Sequence, residues 1–299
     1  MKTTEKCALC EKEAELCVSH IIPKFVVKQD LLTSATGFLR KSSVINKREQ
    51  DGPKAKLLCI ECEARLNEWE TPVANNVYLP WANRLNPRPQ YGPWMLKFAV
   101  SVSWRAMKWY VAHPKFSVSS EGRKTIDSAM MTWMDVLLGK RTHPEQYEQH
   151  VILFDYIEEH HGSFDFPPNI NRFLTRGLHI NMAVRDGMPY FIYIKMGKMT
   201  LLGFINVKVR KQWKGTKIHV KEGELGGNIN VPQSFFGYLK ERAEKETLEY
   251  RQMSDAQQAQ IIKTLEKDPD KAANSELFQM MMRDYEMFGD KAFWDKGKG

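Results

Sequence analysis

Hydrophobic periodicity divides the chain into three parts with different patterns. Residues 1–90 carry short apolar runs separated by turn residues, and the prolines within 71–92 predict an irregular connector. Apolar positions then recur at helical spacing from Pro93 to Ala112 and again over 122–139. We therefore expect two long helices directly after the punctuated N-terminal part.

The period shortens to two further along the chain, which is the spacing of a strand with one buried face. Residues 178–185 and 190–195 flank the pair Asp186-Gly187 and predict a β-hairpin, which 199–207 extends. Residues 216–221 predict one more strand, whereas 150–157 fits a strand or a helix. Beyond this part the pattern is helical again, with predicted helix starts at Pro232, Ser254 and Asp268.

Four polar residues share one stripe of the helix predicted over 93–112. They are Lys97, Ser101, Arg105 and Lys108. Their spacing predicts a mostly buried central helix with one basic edge that faces outward.

The patterns together predict an α+β protein. Residues 1–90 form a small N-terminal module, residues 91–230 an α+β domain with a central helix and an antiparallel sheet, and residues 231–299 a helical C-terminal tail. The chain has 299 residues, which is long enough to bury at least one sizeable core.

Composition adds a basic balance and little else. The formal net charge is +8, and the basic excess lies in residues 1–230, because 231–299 has more acidic than basic residues. Such a field attracts polyanions, although many basic proteins bind none. No long uncharged apolar run and no signal-peptide core occur in the sequence, so we expect a cytoplasmic protein without a membrane span.

Four of the five cysteines form two pairs, Cys7-x2-Cys10 and Cys59-x2-Cys62, and Cys17 is left over. In a reducing compartment this pattern indicates a metal site rather than a disulfide framework. Four thiolates on two tight turns suit tetrahedral Zn²⁺ at about 2.3 Å per bond, in a closed structural site. The alternative is two unrelated buried cysteine pairs.

The stretch Cys17-Val-Ser-His-Ile-Ile-Pro-Lys-Phe25 lies between the two cysteine pairs. A zinc knuckle, a strand that ends in His-Ile-Ile-Pro, a loop, and a second knuckle that opens a helix together resemble the HNH (His-Me finger, ββα-metal) endonuclease family in its four-cysteine version. The resemblance covers about residues 5–70 and implies a treble-clef-like ββα-metal fold for the N-terminal module.

The resemblance also implies a set of site residues. His20 takes the place of the general base, and Glu63, directly after the last cysteine, takes the place of a ligand to a catalytic Mg²⁺ or Mn²⁺ ion. Asn67, one helical turn further on, is a candidate to assist Glu63. Asn46 is the candidate to orient the base. Ser19 stands where the family has an acidic or histidine ligand, so the sequence departs from the family pattern at this position.

Elementary chemistry is compatible with His20 as a base. An ordinary imidazole is mostly neutral at cytoplasmic pH and accepts a proton from water that attacks phosphorus. The alternative is a core histidine that packs on an apolar strand, which is the commoner role of an isolated histidine.

Residues 207–221 carry six cations, no acidic residue and one tryptophan. In a hairpin loop the cations would contact phosphates, and the tryptophan would pack on a sugar or an unstacked base. The candidates for nucleic-acid binding are Lys208, Arg210, Lys211, Trp213, Lys214 and Lys217. The alternative is a solvated sheet edge whose charges discourage further strand pairing.

Two hypotheses for function follow. The first is a metal-dependent endonuclease that hydrolyses phosphodiester bonds of nucleic acid, with DNA as the expected substrate. The family association suggests a role in phage defence or in a mobile element. The second is a non-catalytic, zinc-stabilised protein for nucleic-acid binding or assembly, with a degenerate HNH site. Either could work with a partner subunit or as a homo-oligomer.

Overall fold

The computed structural model describes residues 4–40, 44–157, 165–185, 187–207 and 210–293. These residues cluster into two compact units that are discontinuous in sequence. Unit 1 takes 4–25, 52–153 and 178–231 of the described residues, and unit 2 takes 26–51, 154–177 and 232–293. The three consecutive segments predicted above follow chain order, whereas the two units alternate along the chain.

The strands of the described residues are short outside the large sheet. They are β1 Glu5–Lys6, β2 Glu13–Ala14, β3 Leu16–His20, β4 Leu39–Arg40, β5 Arg48–Glu49, β6 Lys54–Cys59, β7 Gln90–Tyr91, β8 Gln149–Leu153, β9 Leu178–Arg185, β10 Met188–Met196, β11 Met199–Phe204 and β12 Gly223–Glu224.

The α-helices of the described residues range from one turn to five turns. They are α1 Lys24–Leu32, α2 Ile60–Val73, α3 Leu79–Ala82, α4 Trp94–Val111, α5 Ser120–Leu137, α6 Ile170–Thr175, α7 Gln233–Arg251, α8 Asp255–Glu266, α9 Pro269–Asn274 and α10 Glu276–Phe288. Among the described residues, no helix is both long enough and apolar enough to cross a membrane. The α+β fold class is therefore confirmed at this level, with antiparallel pairing in every sheet.

Unit 1 contains a four-stranded antiparallel sheet in the order β8-β11-β10-β9. The predicted hairpin is confirmed as β9 and β10, and Gly187 in its turn has a φ of 73°, which a residue with a Cβ rarely adopts. The ambiguous segment forms strand β8. The prediction of a strand over 216–221 is wrong, because only an isolated bridge between Lys217 and His150 forms there.

Helix α4 packs on this sheet, and its burial corrects the predicted outward basic edge. Ser101 and Arg105 are each 1% exposed, whereas Lys97 is exposed as expected. The aromatic residues Phe98 and Trp104 of the same helix are fully buried. Hydrophobic periodicity grouped Arg105 with the polar positions of the helix, but it could not show that Arg105 forms a buried ion pair with Glu70.

Unit 2 is mainly helical. The predicted helix starts are confirmed, since Pro232, Ser254 and Asp268 are the N-cap residues of α7, α8 and α9. The Ser254 and Asp268 side chains accept hydrogen bonds from backbone N–H groups of the first helical turn, as N-cap residues do. Buried Asp284 of α10 accepts hydrogen bonds from the backbone N–H groups of Asn171 and Arg172 at the start of α6.

Candidate metal centre and active site

Two tight turns bring the paired cysteines together in unit 1. The first turn lies between β1 and β2, where the N–H of Cys7 donates to the carbonyl of Lys12 and the N–H of Glu11 donates to the carbonyl of Cys7. Glu11 has a φ of 64°, which reverses the chain directly after Cys10. The second turn is the junction of β6 and α2, with Cys59 as the helix N-cap and Cys62 in the first helical turn.

The Sγ atoms of the four cysteines Cys7, Cys10, Cys59 and Cys62 all lie within 4.8 Å of one another. The Sγ atoms of Cys10 and Cys59 are 3.8 Å apart. Tetrahedral zinc with bonds of about 2.3 Å requires sulfur atoms about 3.8 Å apart. The cluster can therefore hold a metal ion such as zinc, and Cys17 is not part of it.

The electrostatics of the cluster differ from thiol to thiol. Burial disfavours the Cys7 thiolate, but N–H groups of Cys10, Cys59 and Leu9 outweigh burial and lower the pKa of Cys7 to about 7. Burial raises the pKa of Cys62, and hydrogen bonds with Cys59 and Cys10 raise it further. Four thiolates this close together repel one another, so full ionisation of the cluster requires a cation at its centre.

Strands β3 and β6 form an antiparallel ribbon beside this cluster, and α2 follows β6 without a break. Ser19 is fully buried on β3, and its Oγ donates a hydrogen bond of 2.6 Å to Oε2 of Glu63 on α2. His20 follows as the last residue of β3 and is half-buried. The two positions that the HNH resemblance assigns to metal ligands are thus in direct contact.

The hydrogen bond from Ser19 leaves most of the Glu63 carboxylate available. An ionised carboxylate has two oxygens and about four acceptor sites, and Ser19 occupies one site on Oε2. Half-buried Glu63 therefore retains Oε1 as a hard oxygen ligand of the kind that Mg²⁺ and Mn²⁺ prefer. Asn67 lies one turn further along α2 and is exposed.

Arg105 connects the strand of His20 to helix α2 from the buried side. Its Nη1 donates to the backbone carbonyl of His20 at 2.8 Å, and its Nη2 donates to Oε1 of Glu70 at 2.6 Å. Arg105 and Glu70 form an ion pair with side chains 2% and 15% exposed. This pair fixes the end of β3 relative to the helix that carries Glu63.

Asn46, the candidate to orient the base, lies in unit 2. Its Oδ1 accepts a hydrogen bond of 2.8 Å from the backbone N–H of Ser254, the N-cap residue of α8. The contact seen for this carboxamide is therefore a structural one within unit 2, and its role toward His20 stays a prediction.

The segment 210–217 contains partly neutralised cations. Lys217 Nζ lies 2.8 Å from Oε1 of Glu148, and Arg210 Nε lies 3.9 Å from Oε2 of the same carboxylate. Lys211 and Lys214 are exposed. Lys208 lies outside the described residues.

Trp213 has a core position within this segment. It is 5% exposed, and its ring makes an edge contact with Phe204 at a centroid distance of 5.2 Å and a second with His150 at 6.0 Å. A ring held in this aromatic cluster does not present a face on which a base could stack.

Three residues that matter here were not identified from the sequence as site residues. Ser19 was noted only as a departure from the family pattern, yet it orients Glu63. Arg105 carried a usable signal, since an arginine in a long apolar helix needs a buried partner. Glu148 carried none, because nothing in the sequence connects it to a cation 69 residues away.

No protein-family model, no curated protein and no solved structure matches the chain. Its function is therefore argued from the geometry of its own residues.

Proposed function

We propose that the protein is a metal-dependent endonuclease whose active site lies where β3 meets α2. The observation that carries the proposal is the hydrogen bond of 2.6 Å between Ser19 and Glu63, next to His20. It joins a strand that ends in a histidine to a carboxylate in the first turn of a helix, beside four clustered cysteines. This order of parts resembles the HNH module.

Each residue has a defined role in this proposal. His20 accepts the proton of the attacking water, as a neutral imidazole near physiological pH can. Glu63 binds a divalent ion through its hard carboxylate oxygens, and Ser19 holds that carboxylate in place. The bound ion would neutralise charge on the scissile phosphate and on the departing oxygen.

The cysteine cluster supports the site mechanically. A ribbon of two strands is marginally stable by itself in water. Zinc bound by the four thiolates would connect the turn after β1 to the start of α2, and Arg105 closes the same module from the opposite end of β3. The position of Glu63 relative to His20 then depends on both the metal and the buried ion pair.

A second function is favoured by one specific observation. Ser19 is a buried hydroxyl at the position where the resemblance expects a stronger ligand. With Glu63 as the single carboxylate, the site would draw its remaining ligands from substrate and water. The alternative is therefore a non-catalytic, zinc-stabilised nucleic-acid-binding protein that retains the fold of the module.

The test is cleavage of supercoiled plasmid and of single-stranded DNA by the zinc-loaded protein in Mg²⁺ or Mn²⁺. We expect His20→Ala to lower the cleavage rate about 10²–10⁴-fold, because a positioned general base contributes that much. Glu63→Gln should lose cleavage as well, since the amide keeps the shape and loses the charge. The matched control is Glu68→Gln, an exposed position of the same helix, which should cut like wild type.

Two outcomes would contradict the nuclease proposal. One is a folded His20→Ala protein with wild-type cleavage. The other is a wild-type protein that binds DNA and contains zinc but cuts neither substrate with either ion, which would favour the non-catalytic alternative.

A further inference from the structure

A groove lies between the first residues of β3 and the start of α2 in unit 1. Its volume is about 490 Å³, which is within the range of about 300–1,000 Å³ that ligand-binding pockets have. We call it the Ile60 groove, after the residue that begins α2 and lines it. Ser19 and Glu63 do not line this groove, so it is distinct from the candidate active site.

The Ile60 groove has exposed apolar surface. The side chain of Ile60 is 70% exposed, although it follows the buried Cys59 directly. Leu16 and Cys17 line the same groove and are half-buried. In the strand register Leu16 pairs with Cys59, which brings the start of β3 next to the start of α2. An aliphatic side chain of a partner would bury this apolar surface, and such burial favours association.

The charge of the Ile60 groove is negative. Glu13, Glu15 and Glu61 line it together with one cation, Lys12. The Nζ atom of Lys12 lies 3.9 Å from Oε2 of Glu61, and the two side chains are 73% and 75% exposed, so this ion pair is weak. Zinc in the cysteine cluster would add to the negative charge, because four thiolates around one Zn²⁺ leave a formal charge of about −2.

The sign of this charge selects the class of partner. Carboxylates beside an apolar surface attract lysine and arginine side chains and repel the phosphates of nucleic acid. A protein segment can present an aliphatic side chain and a cationic side chain next to each other, which matches both features of the groove. The groove therefore suits a basic protein segment and disfavours a nucleic-acid backbone.

We propose that the Ile60 groove binds a basic segment of a partner protein. An aliphatic side chain of the partner covers Leu16 and Ile60, and neighbouring lysine or arginine side chains pair with Glu13 and Glu61. This inference goes beyond the proposed function and does not depend on whether His20 acts as a base.

The experiment measures peptide binding by the zinc-loaded protein. The probe is a short fluorescent peptide of alternating lysine and leucine residues, titrated at about 50 mM salt, where charge interactions are only partly screened. A second peptide with glutamate in place of lysine tests the sign of the charge. We expect the lysine peptide to bind and the glutamate peptide not to bind.

Two variants test the two chemical features of the groove. Ile60→Ala should raise the Kd of the lysine peptide about tenfold, because the aliphatic side chains of the peptide lose an apolar contact. Glu13→Gln/Glu61→Gln should raise the Kd by about tenfold as well, because two carboxylates lose their charge and keep their shape.

The matched controls change the same kinds of group outside the groove. Val18→Ala shortens another exposed apolar side chain of β3, and Glu5→Gln/Glu68→Gln neutralises two exposed carboxylates. Both controls should keep the wild-type Kd. Zinc content and melting temperature are checked for each protein.

The proposal is overturned if the wild-type protein does not bind the lysine peptide, or if it binds both peptides equally. Equal weakening in the groove variants and in their controls would overturn it too. Displacement of the peptide by single-stranded DNA would assign the groove to nucleic acid instead. Self-association of the wild-type protein that Ile60→Ala abolishes, measured by analytical ultracentrifugation, would assign the groove to a second copy of the chain.

Discussion

His20 and His150 lie on strands of the same unit but in different surroundings. His150 is 1% exposed, its Nδ1 lies 2.8 Å from Oγ1 of Thr216, and its ring stacks on Phe204 at a centroid distance of 4.1 Å. Burial lowers the pKa of His150, although hydrogen bonding to Glu148 opposes the shift. His20 is half-buried at a strand end, and its backbone carbonyl is held by Arg105.

The difference shows how a core histidine and a candidate base are distinguished. The His150 ring packs against Phe204 and contacts the hydroxyl of Thr216. The nearby cation Lys217 is paired with Glu148. Around His20, Arg105 binds the backbone carbonyl, and Ser19 binds the carboxylate of Glu63. A general base must be reached by the water that it deprotonates, and the half-buried His20 is more exposed than His150.

The largest expected effect comes from removing the metal ion of the cysteine cluster, which lies beside the strand of His20 and far from His150 in sequence. We expect one zinc ion per chain, and Cys62→Ala should lose the ion and unfold the module around β3 and α2, because structural zinc contributes about 10–16 kcal/mol in small domains. Elemental analysis and limited proteolysis check this. Cys17→Ala is the control and should retain zinc, since Cys17 lies outside the cluster.

Replacing each histidine by alanine should separate the two roles. His150→Ala should lower the free energy of unfolding by about 3 kcal/mol, since it leaves a cavity in an aromatic cluster and removes a buried hydrogen bond. Its cleavage rate per folded molecule should stay near wild type. His20→Ala should change the free energy of unfolding little and should lower the cleavage rate strongly. Urea unfolding and plasmid cleavage check both, and equal destabilisation by the two substitutions would remove the distinction.

The interactions of Glu148 with His150 and Lys217 make the stability of the protein depend on pH in the acidic range. The hydrogen bond from His150 lowers the pKa of Glu148 to about 2, burial opposes it, and Lys217 lowers it further. A depressed folded pKa gives stability that is complete above the ordinary carboxyl pKa near 4.5 and is lost as pH falls toward 2.

Glu148→Gln should therefore destabilise the protein by about 2 kcal/mol at pH 7, less than the full linkage value because Lys217 is partly exposed to screening. The difference between variant and wild type should fall to less than half at pH 3. Urea unfolding at both pH values checks this, and loss of zinc at low pH affects both proteins equally. A difference that does not change with pH would contradict the assigned pKa.

The smallest effect concerns the two exposed lysines of the segment near His150. Lys211→Ala/Lys214→Ala should lower the slope of log affinity for duplex DNA against log salt by less than about 1.8, the value for two full phosphate contacts, because Glu148 cancels part of the local positive charge. Fluorescence anisotropy of a labelled DNA duplex between 50 and 200 mM salt checks this. A fall of about 1.8 or more would show that both lysines contact phosphates in spite of Glu148.

Features that depend on local pattern could be predicted from the sequence. The β9–β10 hairpin follows from alternation around a turn glycine, and the starts of α7, α8 and α9 follow from N-cap residues. The cysteine cluster follows from spacing and ligand chemistry. Each of these signals lies within a few residues or uses a residue type with few other roles.

Features that depend on distant partners could not be predicted. Arg105 points inward because Glu70 and the carbonyl of His20 accept hydrogen bonds from its guanidinium group. Trp213 is buried because it packs against residues such as Phe204 that precede it in the chain. The segment 216–221 has strand periodicity but forms only one bridge. The contact between Ser19 and Glu63 depends on the ribbon register, which a bulge near Cys17 shifts by one residue.

The most direct test of the central claim is the location of a second metal ion. Crystals of the zinc-loaded protein soaked in Mn²⁺ should show two anomalous peaks, one among the four Sγ atoms and one within about 2.2 Å of a Glu63 carboxylate oxygen, on the side accessible to His20. The manganese peak should vanish in Glu63→Gln while the zinc peak remains. A zinc peak alone, with Glu63 still bound to Ser19 and no manganese beside it, would contradict the proposed active site.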